Sequence, residues 1–529
     1  MKCNFAGKVY LPLIAICLFF CFSAAQAQDF QAEPKVSYDV KHDVSLPLRQ
    51  LALTAEPIRN NGGPMLEPKR NLGLTVGLPG EDTVVQDEVL PPVQTKKILS
   101  FDGMSGSQAG GYYPPDTNGT VGSTQYVSIT NVAYQVYDKT SGKSLLGPVY
   151  INTIWKGFGG QCESSNGGDP IVLWDKVAQR WLVSQLEYNS TTWVCIAVST
   201  SADATGSYNR YAYTFGSVLP DYPKYSVWPD AYYLSVNAFG NGSAEPCAFD
   251  RNAMLAGKKA AEICFTPNNN NFSFLPSDVD GATAPPSGAP AHFLMLGNST
   301  NQLTYWDFHV DFVHTKKSTF TGPNNITVPA FSLACGGGSC IPQPPPGEVV
   351  DSLGDRLMFR LAYRNFGTYE SMLVSHSVTP GKGSKGVSAA RWYELRATPP
   401  GSTFALYQSG TFQDKAATLW MPSIAQDKNG DIALGFSASS KTMDPSIWYT
   451  GRVPTDPLGK MESAKVIVKG SAVQEGGGSR WGDYSAMQID PSDDCTFWYT
   501  QEYYNKKNGG SASHDWSTHI FSFKFAGCN

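Results

Sequence analysis

The chain has 529 residues, a net charge of -5, 16% charged side chains and 12% aromatic ones. A balance this close to neutral, without any Lys/Arg block, gives no case for a nucleic-acid partner or an anionic membrane surface. Sparse charge with 51 Gly and 36 Pro fits an all-β protein with many turns, long enough to bury a large core.

At the start, Lys2 and Lys8 precede an apolar run over residues 11–22, and Ala25-Gln26-Ala27 supplies small residues for cleavage. This reads as a signal peptide over 1–27, with the mature chain beginning at Gln28. Ser23 and Gln26 end the run before it reaches the ~20 residues of a membrane anchor. Ile16 before Cys17 argues against a lipoprotein signal. No later stretch predicts a membrane span, so a secreted or periplasmic product is expected. Residues 28–95 are polar and Pro-rich without sustained periodicity, which predicts a linker, a pro-segment or a loosely packed arm. The folded part is expected over 96–529, opening with an isolated strand at 97–101.

From there a strand-turn-strand unit recurs. It appears at 116–131 (DTNGTVGSTQYVSITN), 169–185 (DPIVLWDKVAQRWLVSQ), 224–237 (KYSVWPDAYYLSVN), 422–437 (PSIAQDKNGDIALGFS) and 483–502. Poorer copies lie at 292–298 with 302–312, after a Pro-rich loop, and at 357–363 with 369–377. Two further strands follow most units, as at 193–199 and 208–215, giving a spacing of about 45 to 60 residues. A radial array of such sheets predicts a seven-bladed β-propeller of four-stranded blades. The last unit offers three strands, ending at 518–525, so the strand at 97–101 is expected to close the ring and remove the open edges. Two β-sandwich domains are the alternative; they explain the strands but not the recurrence.

Three of the eleven cysteines, Cys3, Cys17 and Cys21, belong to the leader. The other eight fall into neighbours: Cys162 with Cys195, Cys247 with Cys264, Cys335 with Cys340, Cys495 with Cys528. An even count in an exported chain favours disulfides, and the lack of a CxxC pair or a histidine couple argues against zinc.

The runs PPDTNGTVG (114–122), GGDPIVLWDKVAQRWLVSQ (167–185), WMPSIAQDKNGDIALGFS (420–437) and RWGDYSAMQIDPSDDCTFWYTQEYY (480–504) carry a resemblance. They resemble an uncharacterised family of secreted bacterial proteins, which implies a propeller-like fold and brings no catalytic residues with it. The turn SADATGSY (201–208) is similar to the Asp-box of sialidase-type propellers with one extra residue, but no arginine triad accompanies it. An Asp-Gly turn between strands also has ordinary backbone reasons.

In a propeller the innermost strands begin at one mouth of the channel. The residues leading into them are Asp116, Asp169, Lys224, Arg356 and Asp483, with Arg480 close by. Asp116, Asp169 and Asp483 are the candidate catalytic carboxylates for a glycosidic bond, or oxygen ligands for Ca²⁺. Lys224, Arg356 and Arg480 suit an anionic sugar or a carboxylate, and Trp481 offers a ring for stacking. The alternative is that each Asp caps the turn entering its blade and the cations neutralise the group, with tryptophans packing between blades. Asp427-Lys428-Asn429-Gly430-Asp431 departs from a Ca²⁺ loop and reads as a tight Asn-Gly turn. No HExxH, GxSxG elbow or phosphate loop is present. Two classes remain: a module binding an extracellular glycan or protein, and a carbohydrate-active hydrolase or lyase.

Overall fold

A computed structural model describes residues 33–65, 81–88, 90–189, 191–267, 271–381, 387–507 and 510–529. The leader read at 1–27 and the start at Gln28 lie outside the described residues.

The architecture is all-β and built from antiparallel meanders. Asn118–Val121, Gln125–Thr130, Ala133–Asp138 and Ser144–Tyr150 form a four-stranded sheet in chain order. The same succession recurs from Ile171–Asp175 to Tyr208–Gly216, from Leu219–Val227 to Ala261–Cys264, and from Thr418–Gln426 to Lys465–Val468. The meanders that open with Leu275–Asp280 and Met358–Asn365 merge into one sheet, because those two strands pair in parallel, Ser277 opposite Leu361. The last sheet holds Ala486–Ile489, Phe497–Tyr504 and Trp516–Phe525, and its fourth strand comes from the far end of the chain: Thr95–Ser105 pairs antiparallel with Trp516–Phe525.

The opening strands of successive meanders stand side by side, and Ala486–Ile489 neighbours Asn118–Val121, so they make a closed cycle. Polar side chains on these strands bridge the meanders. Val172 N–H donates to Asn118 Oδ1 at 3.1 Å, Val227 N–H to Asp278 Oδ1 at 3.0 Å, and Met487 N–H to Ser423 Oγ at 3.0 Å. Gln125–Thr130 and Phe497–Tyr504 are buried along their whole length. Burial on both faces replaces the polar/apolar alternation of a half-exposed strand with near-continuous aromatic and branched residues. Tryptophans 181, 228, 392, 420, 481, 498 and 516 are buried in the core. Gly435 is needed there, since a Cβ on it would lie 2.5 Å from the Tyr499 ring.

The described parts of the arm are packed against this body. Lys35–Tyr38 adds a fifth strand beside Ala261–Cys264, and Lys41–Val44 adds one beside Tyr208–Gly216. Leu48 and Leu51 are buried near Trp155, and Val93 is buried beside Ile447 and Tyr449. Asp82 meets Arg391 at 2.7 Å with both side chains fully covered. Pairing through the backbone needs no hydrophobic period, which is why the arm carries none. Cys162 is bonded to Cys195, Cys247 to Cys264, Cys335 to Cys340 and Cys495 to Cys528. Among the described residues no helix is long and apolar enough to cross a membrane.

Candidate functional site

Just before or within the first residues of five opening strands, the backbone repeats one irregular step. Asp116, Asp169, Tyr222, Ser273 and Met421 have φ of 44°, 47°, 54°, 56° and 49°, each two residues before Asn118, Ile171, Lys224, Leu275 and Ser423. Left-handed backbone is disfavoured for residues with a Cβ, and its recurrence at equivalent points marks a conformation that the surrounding sheet enforces. The pairing register slips there, between Asp221 and Lys224 and between Trp420 and Ser423. Such a bulge re-aims the side chains that follow it.

Asp116, Asp169 and Asp483 share one hydrogen-bond network. Asp116 Oδ1 accepts the Asp483 N–H at 2.7 Å, and its Oδ2 accepts Asn131 Nδ2 at 2.7 Å. Asn131 Oδ1 accepts the Asp169 N–H at 2.9 Å, and Asp169 Oδ2 accepts the Tyr222 N–H at 3.0 Å. One chain of hydrogen bonds thus runs across the starts of four sheets. Arg480 Nη2 donates to Asp483 Oδ1 at 2.9 Å, and Arg356 holds Asp355 through two bonds of 2.8 and 3.0 Å. Lys224 Nζ lies 3.3 Å from the Tyr222 ring centroid and 3.6 Å from that of Tyr484. It also donates to the Pro223 carbonyl at 3.0 Å.

Burial dominates the electrostatics. Asp116, Lys224, Arg356 and Asp483 are buried, while Asp169 and Arg480 are half-buried. Desolvation, then Asp483 and Asp169, push the Asp116 carboxyl well above its usual range, against the pull of Arg480. Desolvation also holds Lys224 well below the ordinary lysine range, opposed by Asp169, Asp483 and Asp116. Two tyrosine ring faces lie against Nζ, a contact that favours the ammonium form. Glu502, whose Oε2 accepts the Gly482 N–H at 2.8 Å, is pushed up to about 8 by burial.

This arrangement joins strands as much as it presents chemistry. Both Asp116 oxygens accept N–H donors, and Asp169 accepts a neighbouring sheet's backbone N–H, so these carboxylates hold the ring together. Trp481 does not serve as a stacking surface: it is fully buried, with ring centroids 5.3 Å from Trp420 and 5.7 Å from Tyr504. That expectation is corrected by packing. Asn131, Tyr222, Tyr484 and Glu502 belong to the site and escaped the sequence reading. The Tyr222-Pro223 pair carried a usable signal, because Asp169-Pro170 and Met421-Pro422 stand at the same step.

The other motifs are structural. Asp203 of the Asp-box-like turn accepts the Thr205 N–H at 2.9 Å and binds Gln125 at 3.0 Å and Arg49 at 2.9 Å, tying arm, turn and neighbouring sheet together. Asp427 Oδ1 accepts the N–H groups of Asn429 at 2.9 Å and Asp431 at 3.0 Å, with Gly430 at φ 86°, as a tight turn. Among the described residues, two groups bring three His, Cys, Asp or Glu ligand atoms within 4.8 Å, Glu245-Cys247-Cys264 and Asp427-Cys495-Cys528. Both contain a disulfide, whose sulfurs are not thiolate ligands.

No protein-family model and no curated protein sequence matches the chain. Among solved structures, it is similar to the WD40 domain of SCAP from fission yeast at 10% identity and a TM-score of 0.32, over 76% of this chain and 82% of that one. It is similar to the extracellular domains of Drosophila Semaphorin 1b at 7% identity and 0.36, over 83% and 88%. An exo-beta-1,3-galactanase from Clostridium thermocellum matches at 11% identity and 0.29, over 70% and 78%. At these scores no argument about the site rests on any of them, and the fold stands on its own strand pairing.

Proposed function

We propose that this chain is a secreted seven-bladed β-propeller, closed by Thr95–Ser105, that binds an extracellular glycan or protein at the mouth where its innermost strands begin. The four disulfides support an oxidising compartment, in keeping with the leader at 1–27. The observation that carries the reading is the convergence of Asp116, Asp169, Lys224, Arg356, Arg480 and Asp483, drawn from different sheets, on one end of the cycle. Asp169 and Arg480 are the half-buried members of the group, Asp169 held by the Tyr222 N–H and Arg480 by Asp483. Binding is favoured over hydrolysis because the oxygens of Asp116 are engaged with N–H donors instead of being open to a substrate.

A second reading, a glycoside hydrolase or polysaccharide lyase, has one observation in its favour: Asp116, lifted by burial and by two neighbouring carboxylates, resembles the acid member of a carboxyl pair. One experiment separates the two. The purified mature protein is screened, with and without Ca²⁺, against complex polysaccharides and secreted proteins, recording both retention and released sugar. Retention without product, lost in Asp169→Asn or Arg480→Gln, is the expected result. Released sugar that vanishes in an Asp116→Asn variant that still folds would establish the hydrolytic reading, and no retention on any surface would sink both.

A further inference from the structure

Thr95–Ser105, the strand that joins the two ends of the chain, carries its side chains on two faces. Leu99 and Phe101 pack against the cluster that holds Tyr126, Tyr137 and Trp498, with the Phe101 and Tyr137 ring centroids 5.1 Å apart. That packing turns Ser100 and Asp102 the other way, and both residues are exposed. Asp102 lies directly opposite His519, and Ser100 opposite Phe521. Ser100, Asp102 and His519 therefore share one face of the strand pair, although His519 stands 417 residues beyond Asp102. The pairing register slips on either side of them, between Lys97 and Leu99 and between Asp102 and Ser105. Bulges are over-represented next to active sites, where they re-aim side chains.

Asp102 Oδ1 lies 3.0 Å from His519 Nδ1, and Ser100 Oγ lies 2.9 Å from His519 Nε2. The hydrogen bond from His519 is the main influence on the Asp102 carboxyl and lowers it from its ordinary value, against desolvation and with the help of Tyr503. An ionised carboxylate only accepts, so Nδ1 donates to it. In the neutral imidazole Nε2 is then the acceptor, and the Ser100 hydroxyl donates. Tyr503 fixes the arrangement: its hydroxyl donates to Asp102 Oδ1 at 3.0 Å, and its ring stands edge-on to His519, with centroids 6.1 Å apart at 88°. His42, His292 and His314 also set Nδ1 against a carboxylate, at 2.6, 2.7 and 3.3 Å. Among the described residues, only His519 has a serine hydroxyl at Nε2 as well.

A hydroxyl, an imidazole and a carboxylate linked in this order are the parts of an activated nucleophile, recognised by geometry and not by sequence position. We infer that Ser100, His519 and Asp102 form an ester-hydrolysing site on this strand pair, taking a carboxylic ester with a short acyl chain. Ser100 Oγ bonds to the acyl carbon as its proton passes to His519 Nε2; the ester C–O bond then breaks, and the alcohol leaves with that proton. Water next gives a proton to Nε2 and adds to the acyl carbon, and Ser100 Oγ departs with the proton as the acid is released. Asp102 is a positioning residue, holding the tautomer in which Nε2 accepts. Among the described residues, Thr95–Ser105 pairs on one flank only, and the N–H groups of such an edge are donors of the type that stabilises a tetrahedral oxyanion. Ser100 and Asp102 are open to solvent, so selection rests on the reacting ester and not on an enclosing acyl pocket. The site uses no residue of the mouth and is independent of the reading given to it.

The test labels the full mature protein with a fluorophosphonate, which phosphonylates an activated serine, and locates the adduct by peptide mass spectrometry; hydrolysis of p-nitrophenyl acetate is followed in parallel. The expected result is an adduct on Ser100 and saturable release of p-nitrophenol. Both should vanish in Ser100→Ala, which removes an exposed hydroxyl and leaves the strand pairing intact. Asp102→Asn should lower kcat by about 100-fold or more with KM held, because the same proton transfers serve acylation and deacylation. A purely structural Asp102 would move the urea midpoint and not kcat. No adduct on Ser100, hydrolysis undiminished in Ser100→Ala, or kcat unchanged in Asp102→Asn would each overturn the inference.

Discussion

Replacing Asp82 with alanine tests whether the arm is part of the folded body. Asp82 and Arg391 are fully covered side chains 2.7 Å apart. Thr411 Oγ1 donates to Asp82 Oδ2 at 2.7 Å, and Arg391 Nε donates to Thr411 Oγ1 at 2.5 Å. Around them, Gln86 N–H bonds the Thr411 carbonyl at 2.9 Å and Thr411 N–H bonds the Val84 carbonyl at 3.0 Å. Among the described residues, alanine leaves the buried guanidinium the Thr411 hydroxyl and the Pro329 and Ala330 carbonyls, the last two at 3.2 and 3.3 Å. Breaking a buried pair by removing one partner costs about 3–5 kcal/mol, because the remaining charge is uncompensated. Asp82→Asn keeps an acceptor for Thr411 and should lose less. Asp82→Ala combined with Arg391→Met removes both charges and should recover most of the loss. Urea unfolding followed by tryptophan fluorescence reads all three. A loss below about 1 kcal/mol in Asp82→Ala, or no recovery in the double variant, would refute the reasoning, since the threshold sits well under the buried-pair cost.

Glu502 is held protonated up to about 8, so between its ordinary value of 4.5 and about 8 the unfolded chain releases a proton that the fold keeps. Stability from this group is therefore complete at low pH and falls as pH rises through that window, by up to about 1.4 kcal/mol per unit. Glu502→Gln should match the wild type near pH 5 and exceed it near pH 8; a gap that does not change with pH rules this out. Gly435→Ala forces a methyl against Tyr499 and should cost about 1–3 kcal/mol in the urea midpoint; a neutral result would mean the two sheets separate easily. Cys528→Ser opens the link to Cys495 across 33 residues and should cost about 3–4 kcal/mol, with protease cutting near the C-terminus as a second readout; an unchanged melting curve would contradict it.

Much of the ring was legible because its units share a local physical cause. An Asp or X-Pro step precedes each hairpin at 116–131, 169–185 and 422–437, and that step is where the left-handed residue sits. The cysteine neighbours were legible for a related reason: Cys247 and Cys264 lie directly opposite on adjacent strands, so closeness in sequence tracked closeness in space. Leu275–Asp280 was not legible. It reads LPSDVD, which is too polar for a buried strand until Arg360, 82 residues on, neutralises Asp278. Tyr484 and Tyr222 were hidden the same way, since only the closure of the cycle sets their rings about Lys224. Trp481 misled because a tryptophan beside charged residues has the same composition whether its ring faces solvent or, as here, Trp420.

The two short strands of the arm have a consequence for how the molecule meets its neighbours. Tyr208–Gly216 and Ala261–Cys264 are the last strands of their meanders, and without Lys41–Val44 and Lys35–Tyr38 their outward N–H and C=O groups would stand open. The strands that cover them are only four residues long and each begins with a lysine, features that make a poor template for another chain. The arm is thus a pair of splints. A protease that trimmed the chain beyond residue 44 would leave the channel in place and turn two sealed flanks into acceptors for a foreign strand.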